Sequence, residues 1–146
     1  MPTAAKLVAA LCFAVLGLLL AEIYKLGVPE RNFWGYFSII CAGIGLLNGW
    51  FVMGGLSGKG LYASLGFGAR TAITMVVWAL LLFSIYEMVY LSTKMRYGGP
   101  MEALLGAVRI AMNHAWSLMT VPMVGAILGG GIVAGAVTEF AANRWR

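Results

Sequence analysis

Aspartate is absent from this chain of 146 residues, histidine occurs once, cysteine twice, and charged residues make up only 10% of it. Each shortage excludes something. Without aspartate there is no Ser-His-Asp set, and a single histidine has no second imidazole with which to build a zinc site. No CxxC, CxxCH or phosphate-cradling glycine loop occurs either. The expectation is a protein that is not an enzyme and holds neither metal nor cofactor. Cys12 and Cys41 both fall inside apolar runs, which excludes a secreted disulfide framework. On the helices expected for them, the two thiols lie roughly 10 Å apart in depth, too far for a disulfide, so both read as small apolar fillers.

Ten Lys and Arg stand against five Glu, a net charge of +5, but the basic residues are scattered singly near helix ends. That pattern suits phospholipid headgroups and not nucleic acid. What the chain has in excess is apolar surface: 62% hydrophobic residues and 20 glycines, with a mean hydropathy of +0.90. A soluble domain needs polar residues for its exterior, whereas Leu7 to Leu20 contains no charge. Lipid is the solvent that fits. Lys6 and the run after it begin as a secretory signal does, but Ala21-Glu22-Ile23 offers no small-residue cleavage site, so a retained helix is expected.

The reading is an all-α single membrane domain, a four-helix transmembrane bundle with one amphipathic interfacial helix between the third and fourth spans. The spans are placed at about 4–24, 37–53, 70–91 and 121–142. Between the first two, the aromatic loop around Trp34 and Tyr36 is expected to anchor in the interface. The "GGLSGKG" turn makes spans two and three neighbours. Residues 61–68 are apolar and either extend the third helix or lie along the surface, with Arg70 marking where the span enters the membrane. Gly98, Gly99 and Pro100 then open a helix over about 100–118.

At 100° per residue, Glu102, Gly106, Arg109, Asn113 and Ser117 of that helix share one sector, opposite Leu104, Leu105, Val108 and Met112. An interfacial helix anchored by Arg109 and Trp116 is expected. As a span it would bring Arg109 near the midplane, at about 2.5–3.5 kcal/mol on insertion scales. The last span starts at Pro122 and ends in "NRWR", where Trp145 and two arginines form an anchor. Basic residues divide evenly between the two sides. The termini, which an even number of spans puts on one side, are expected in the cytoplasm.

Three further features invite a role. Gly45 and Gly49, Gly125 and Gly129, and Gly131 and Gly135 are each four apart, a spacing that lets helix backbones approach within the chain, against another membrane protein or against a second copy of the chain. Glu87 is an acid embedded in an apolar span, too far along its helix to pair with Arg70. It is read as an interfacial ion pair with the Lys25 and Arg31 region or Lys94, or else as a proton or cation site. His114 is read as a hydrogen-bonding residue at the interface.

The opening "MPTAAKLVAALCFA", the loop "FWGYF", "GLLNGW", "YGGPMEAL" and the closing "EFAANRWR" together resemble the TrgA family over essentially the full length. These are small integral membrane proteins of alphaproteobacteria, chiefly of the Rhodobacter and Roseobacter groups, named for an association with tellurite resistance. The chain departs from the family at Gly98 or Gly99, often Asp there, and at Tyr86, where Asn precedes the matching Glu-Met. The resemblance implies a bacterial cytoplasmic-membrane protein associated with oxyanion resistance, and it brings no catalytic residues with it. Two alternatives stand beside that expectation. One is an accessory or assembly subunit of a respiratory or photosynthetic complex, which suits the small-residue helix faces. The other is a small oligomeric channel or transporter with Glu87, Asn48 and Arg70 along its path.

Overall fold

A computed structural model of the chain describes residues 3–27 and 35–145, and every regular element among them is helical. The order is α1 (Thr3–Gly27), α2 (Phe37–Asn48), a π-helical turn (Gly49–Met53), α3 (Gly54–Leu56), α4 (Leu61–Thr93), α5 (Pro100–Leu118) and α6 (Val121–Arg144). Four stretches are long and apolar enough to cross a membrane: Ala4–Gly27, Phe37–Leu56, Leu61–Thr93 and Val121–Arg144. This is a multi-pass membrane fold. Trp34, Glu30 and Arg31 lie outside the described residues.

Two boundaries differ from the sequence reading. The helix of the third span begins at Leu61, so residues 61–68 extend it and do not form a separate surface segment, because the preceding turn closes at Gly60. Gly58 and Gly60 sit at φ of +88° and +103°, a region that any side chain would strain. At ~1.5 Å per residue the resulting helix is roughly 50 Å long, so it tilts or projects beyond a hydrocarbon core of ~30 Å. Arg70 therefore lies within the helix, on its exposed side, instead of at its start. The second span also runs past Met53, through the π-helical turn and α3 to Leu56.

Glycines set how closely the spans approach. Gly45 and Gly49 face the Phe13 and Ala9 carbonyls of α1, and Gly17 faces Cys41 of α2, so these two helices run antiparallel in backbone contact. On the other side of the bundle, Gly68 of α4 lies against Gly131 and Gly135 of α6, and Gly135 against Ser64. α1 also packs on α6, where Gly130 receives Leu16, whereas α2 and α4 meet only sparsely. The spans thus close three sides of a four-sided bundle and leave the α2–α4 side loose. Gly125 and Gly129 meet nothing within 4 Å of an added Cβ, so their spacing is not used in packing among the described residues.

The interior is small and partly polar while the outside is apolar, as lipid requires. Phe13, Met53 and Ala72 are fully buried, yet Leu11, Leu19 and Trp78 are more than half exposed. Buried Thr71 and Thr138 each donate to the carbonyl four residues back, which satisfies their hydroxyl protons within the helix, and Asn48 donates one N–H to the Ile44 carbonyl in the same way.

α5 buries no residue. Ala103, Gly106, Ile110, His114 and Leu118 form a half-buried stripe, while Leu104, Leu105, Val108, Met112 and Trp116 are exposed. Its packing within the chain is chiefly on α4.

Candidate functional site

Two long-range polar contacts converge on one imidazole. Tyr24 stands in the last turn of α1, Glu87 within the last two turns of α4, and His114 one turn before the end of α5. The Tyr24 hydroxyl lies 2.7 Å from His114 Nδ1, and His114 Nε2 lies 3.0 Å from Glu87 Oε2. The side chains of His114 and Glu87 are 13% and 24% exposed. With a neutral ring, the tyrosine O–H donates to Nδ1 and the Nε2–H donates to the carboxylate. With a protonated ring, both nitrogens donate and the tyrosine oxygen accepts. Either way an acid in an apolar span has a donor aimed at it, which offsets the cost of placing a carboxylate there.

Next to this chain lies a cavity of about 970 Å³, bounded by α1, α2 and α4 and closed by His114 and Leu118 of α5 and Met123 of α6. It occupies the loose α2–α4 side of the bundle. Helical spacing explains its walls: Gly17, Leu20, Ala21 and Tyr24 share one face of α1, and Val76, Ala79, Phe83, Glu87 and Tyr90 one face of α4. An aromatic row lines the polar end. Tyr24 stacks on Phe37 with centroids 5.7 Å apart, and Phe37 meets Phe83 at 4.5 Å. Tyr36, Tyr86 and Tyr90 also line the cavity, and Leu20, Ile40, Met75, Val76 and Leu80 supply an apolar part. The volume is at the upper end of small-molecule sites.

A second acidic site is structural. Glu139 of α6 is 1% exposed. Its Oε2 accepts the Gly58 N–H at 2.8 Å and the Ser64 hydroxyl at 2.6 Å, and its Oε1 accepts the Gly60 N–H at 3.1 Å. The carboxylate thus clamps the positive-φ turn and sits at the N-terminus of α4, where the helix dipole favours an anion. A sequence signal for it existed: the rule that singles out Glu87 applies equally to an acid in the last span.

The sequence-predicted residues fall as follows. His114 is part-buried between two helices and is not a surface residue, because α5 turns this face onto α4. Glu87 is held by it, while Lys25 donates to Glu22 at 2.8 Å and to Ser38 at 2.6 Å. Asn48 is buried beside Gly49, at the level of Ala9, and donates to Ile44. Arg70 is exposed on the outside of α4. Arg70 and Glu87 thus lie at different levels of α4, and Asn48 lies on the second span. Tyr36, Arg109, Trp116 and Trp145 are all exposed. Cys12 and Cys41 are free thiols, and Cys41 lines the cavity. Among the described residues, no group of three or more His, Cys, Asp or Glu could hold a metal ion.

Comparison of the chain with known protein families, with curated proteins and with solved structures finds no match.

Proposed function

We propose that this chain is a non-enzymatic protein of a bacterial cytoplasmic membrane, with both termini in the cytoplasm, that takes a lipophilic small molecule from the bilayer into its lateral cavity. The observation that carries this reading is the Tyr24–His114–Glu87 chain at the end of an otherwise apolar cavity on the loosely packed side of the bundle. Packing alone gives no reason for an acid, an imidazole and a phenol to meet there, whereas a ligand with a polar head and an apolar body uses both ends. The resemblance to the TrgA family supplies the physiological context, resistance to tellurite, with the bound molecule acting on oxyanion uptake or on membrane electron flow.

Filling the cavity with Ala79→Phe tests this. The variant is expected to accumulate in the membrane with wild-type helix content, to lose a co-purifying small molecule, and to fail to restore tellurite survival to a strain lacking the protein. Unchanged occupancy and survival would contradict the reading.

A second reading, an accessory subunit of a larger membrane complex, is favoured by one observation. The Gly125 and Gly129 face of α6 is open to a neighbouring helix or to a second copy of the chain.

The three faces of α5 support an interfacial placement: one stripe on α4, an exposed apolar face with Leu105 and Met112, and a polar face with Glu102, Arg109 and Asn113. Spin labels at Leu105 and Met112 are then expected at equal depth in the bilayer. A spanning helix would separate them by about 10 Å.

A further inference from the structure

We infer that the outer face of α4 around Arg70 docks a transmembrane helix of another membrane protein, one that carries a carboxylate near the middle of the bilayer. The inference is independent of the cavity, since on a helix Arg70 points about 180° away from Ala79, which lines it.

Depth carries the inference. Gly131 of α6 packs on Ala69 and Ala72 of α4, so Arg70 lies level with Gly131, and the neighbouring Gly130 receives Leu16 of α1. These positions are close to the middles of their spans, Val121–Arg144 and Ala4–Gly27. From Gly131 to the two ends of its span is about 15 and 20 Å. An extended arginine side chain reaches roughly 7 Å. Leaning toward the helix N-terminus, as helical side chains do, it still stops short of the headgroups. Arg70 is nevertheless exposed. Among the described residues its guanidinium has no hydrogen-bond or ion-pair partner, and its backbone carbonyl accepts the Thr74 hydroxyl at 2.9 Å. A cation at this depth is costly in lipid and is stabilised by an acid, a carbonyl or water.

The surface around it suits a helix. Gly66, one turn before Arg70, meets nothing within 4 Å of an added Cβ, so a second backbone can come close there. Ile73 and Val77, on the same side, are about half exposed. The apolar stretch of this span is 17% buried, against 33–44% in the other three, so it is the one least covered by its own chain. Charge complementarity decides the occupant. Glu22 stands six residues beyond Leu16 and Glu139 eight beyond Gly131, roughly 9 and 12 Å from the level of Arg70. Glu139 is also enclosed by the turn it clamps. A second copy related by a two-fold axis would set Arg70 against Arg70, with no acid among the described residues at that depth. The partner is a different chain.

The test places a photoreactive residue at Ile73 of the full-length protein and cross-links it in the native membrane. Val15, exposed on α1 at the same depth, is the control position. At Ile73 the adduct is expected to hold a transmembrane peptide of one other protein with an Asp or Glu in the middle of its span, at a yield at least tenfold above that at Val15. Arg70→Leu removes a charge from lipid without harming insertion and should lower the yield at Ile73 at least tenfold. Arg70→Glu combined with the partner's acid changed to Arg should restore it. A cross-link between two copies of this chain, a partner span without an acid, or a yield unchanged by Arg70→Leu would overturn the inference. Lipid adducts alone at Ile73 would overturn it too, by showing that drawn-in headgroups satisfy the arginine.

Discussion

Glu139→Ala is expected to be the most destabilising single change of a charged residue, lowering stability by about 2–4 kcal/mol in reversible unfolding from detergent micelles. The carboxylate accepts from two backbone N–H groups and one hydroxyl, all belonging to the turn and first helical turn that join α3 to α4. Removing it leaves three donors without their acceptor beside a helix N-terminus. Water reaching the partly buried turn recovers some of the loss, which holds the figure below the sum of three charge-assisted bonds. Glu139→Gln should cost about half as much, since the amide keeps one acceptor oxygen but turns its NH2 toward a donor. Glu102 is the control. It is exposed and, among the described residues, accepts the Gly98 N–H alone, at 2.8 Å, so Glu102→Ala should cost no more than ~1 kcal/mol. If Glu139→Ala unfolds within about 0.5 kcal/mol of wild type, the clamp does not hold the turn.

The second large effect is a contrast among glycines. A methyl group at Gly68 would collide with the Gly131 carbonyl, and one at Gly45 with the Phe13 carbonyl. Both obstacles are backbone, so relief requires two helices to separate along their whole contact. Gly68→Ala and Gly45→Ala should each cost about 1–3 kcal/mol, at the upper end where two helices must part. Gly125→Ala and Gly129→Ala meet open space and should be neutral, or stabilising by up to ~1 kcal/mol, the helix-propensity difference between the two residues. Equal costs at all four positions would mean that the α4–α6 and α1–α2 contacts are not backbone-limited.

These contrasts show which parts of the molecule could be read from its sequence. The spans were legible because membrane insertion depends on length and mean hydropathy, which sequence contains outright, and the Gly45/Gly49 and Gly131/Gly135 spacings marked faces that do meet backbone. Spacing did not reveal which glycine pairs are used. Gly125 and Gly129 have the same pattern as Gly131 and Gly135, and only the rotation of α6 about its axis decides which pair faces α4. The sequence leaves open whether residues 61–68 extend the third helix, because Arg70 resembles a boundary charge, although an arginine on the outer side of a helix can lean along it without ending it.

The polar site was the least legible part. Tyr24 and His114 are 90 positions apart, and Glu87 and His114 are 27 apart. Each taken alone is an ordinary interfacial residue. Their meeting depends on the face that α5 turns toward α4, and no local pattern encodes it. The apolar half-circle of α5 pointed to lipid contact, but the stripe through Ala103, Gly106, Ile110 and His114 that packs on α4 contains small and polar residues that a hydrophobic-moment argument assigns elsewhere. Glu139 itself could be singled out as an acid in an apolar span, but its partners, 75–81 positions away, could not.

The measurement that bears most directly on the ligand-site reading is the intact mass of the protein released from its native membrane under mild, non-denaturing conditions, for wild type and Ala79→Phe side by side. The account predicts a wild-type species carrying one small lipophilic molecule, lost on collisional activation, and a variant that retains its fold but appears at the bare chain mass. A wild type with no adduct, or an adduct held equally by Ala79→Phe, would contradict it.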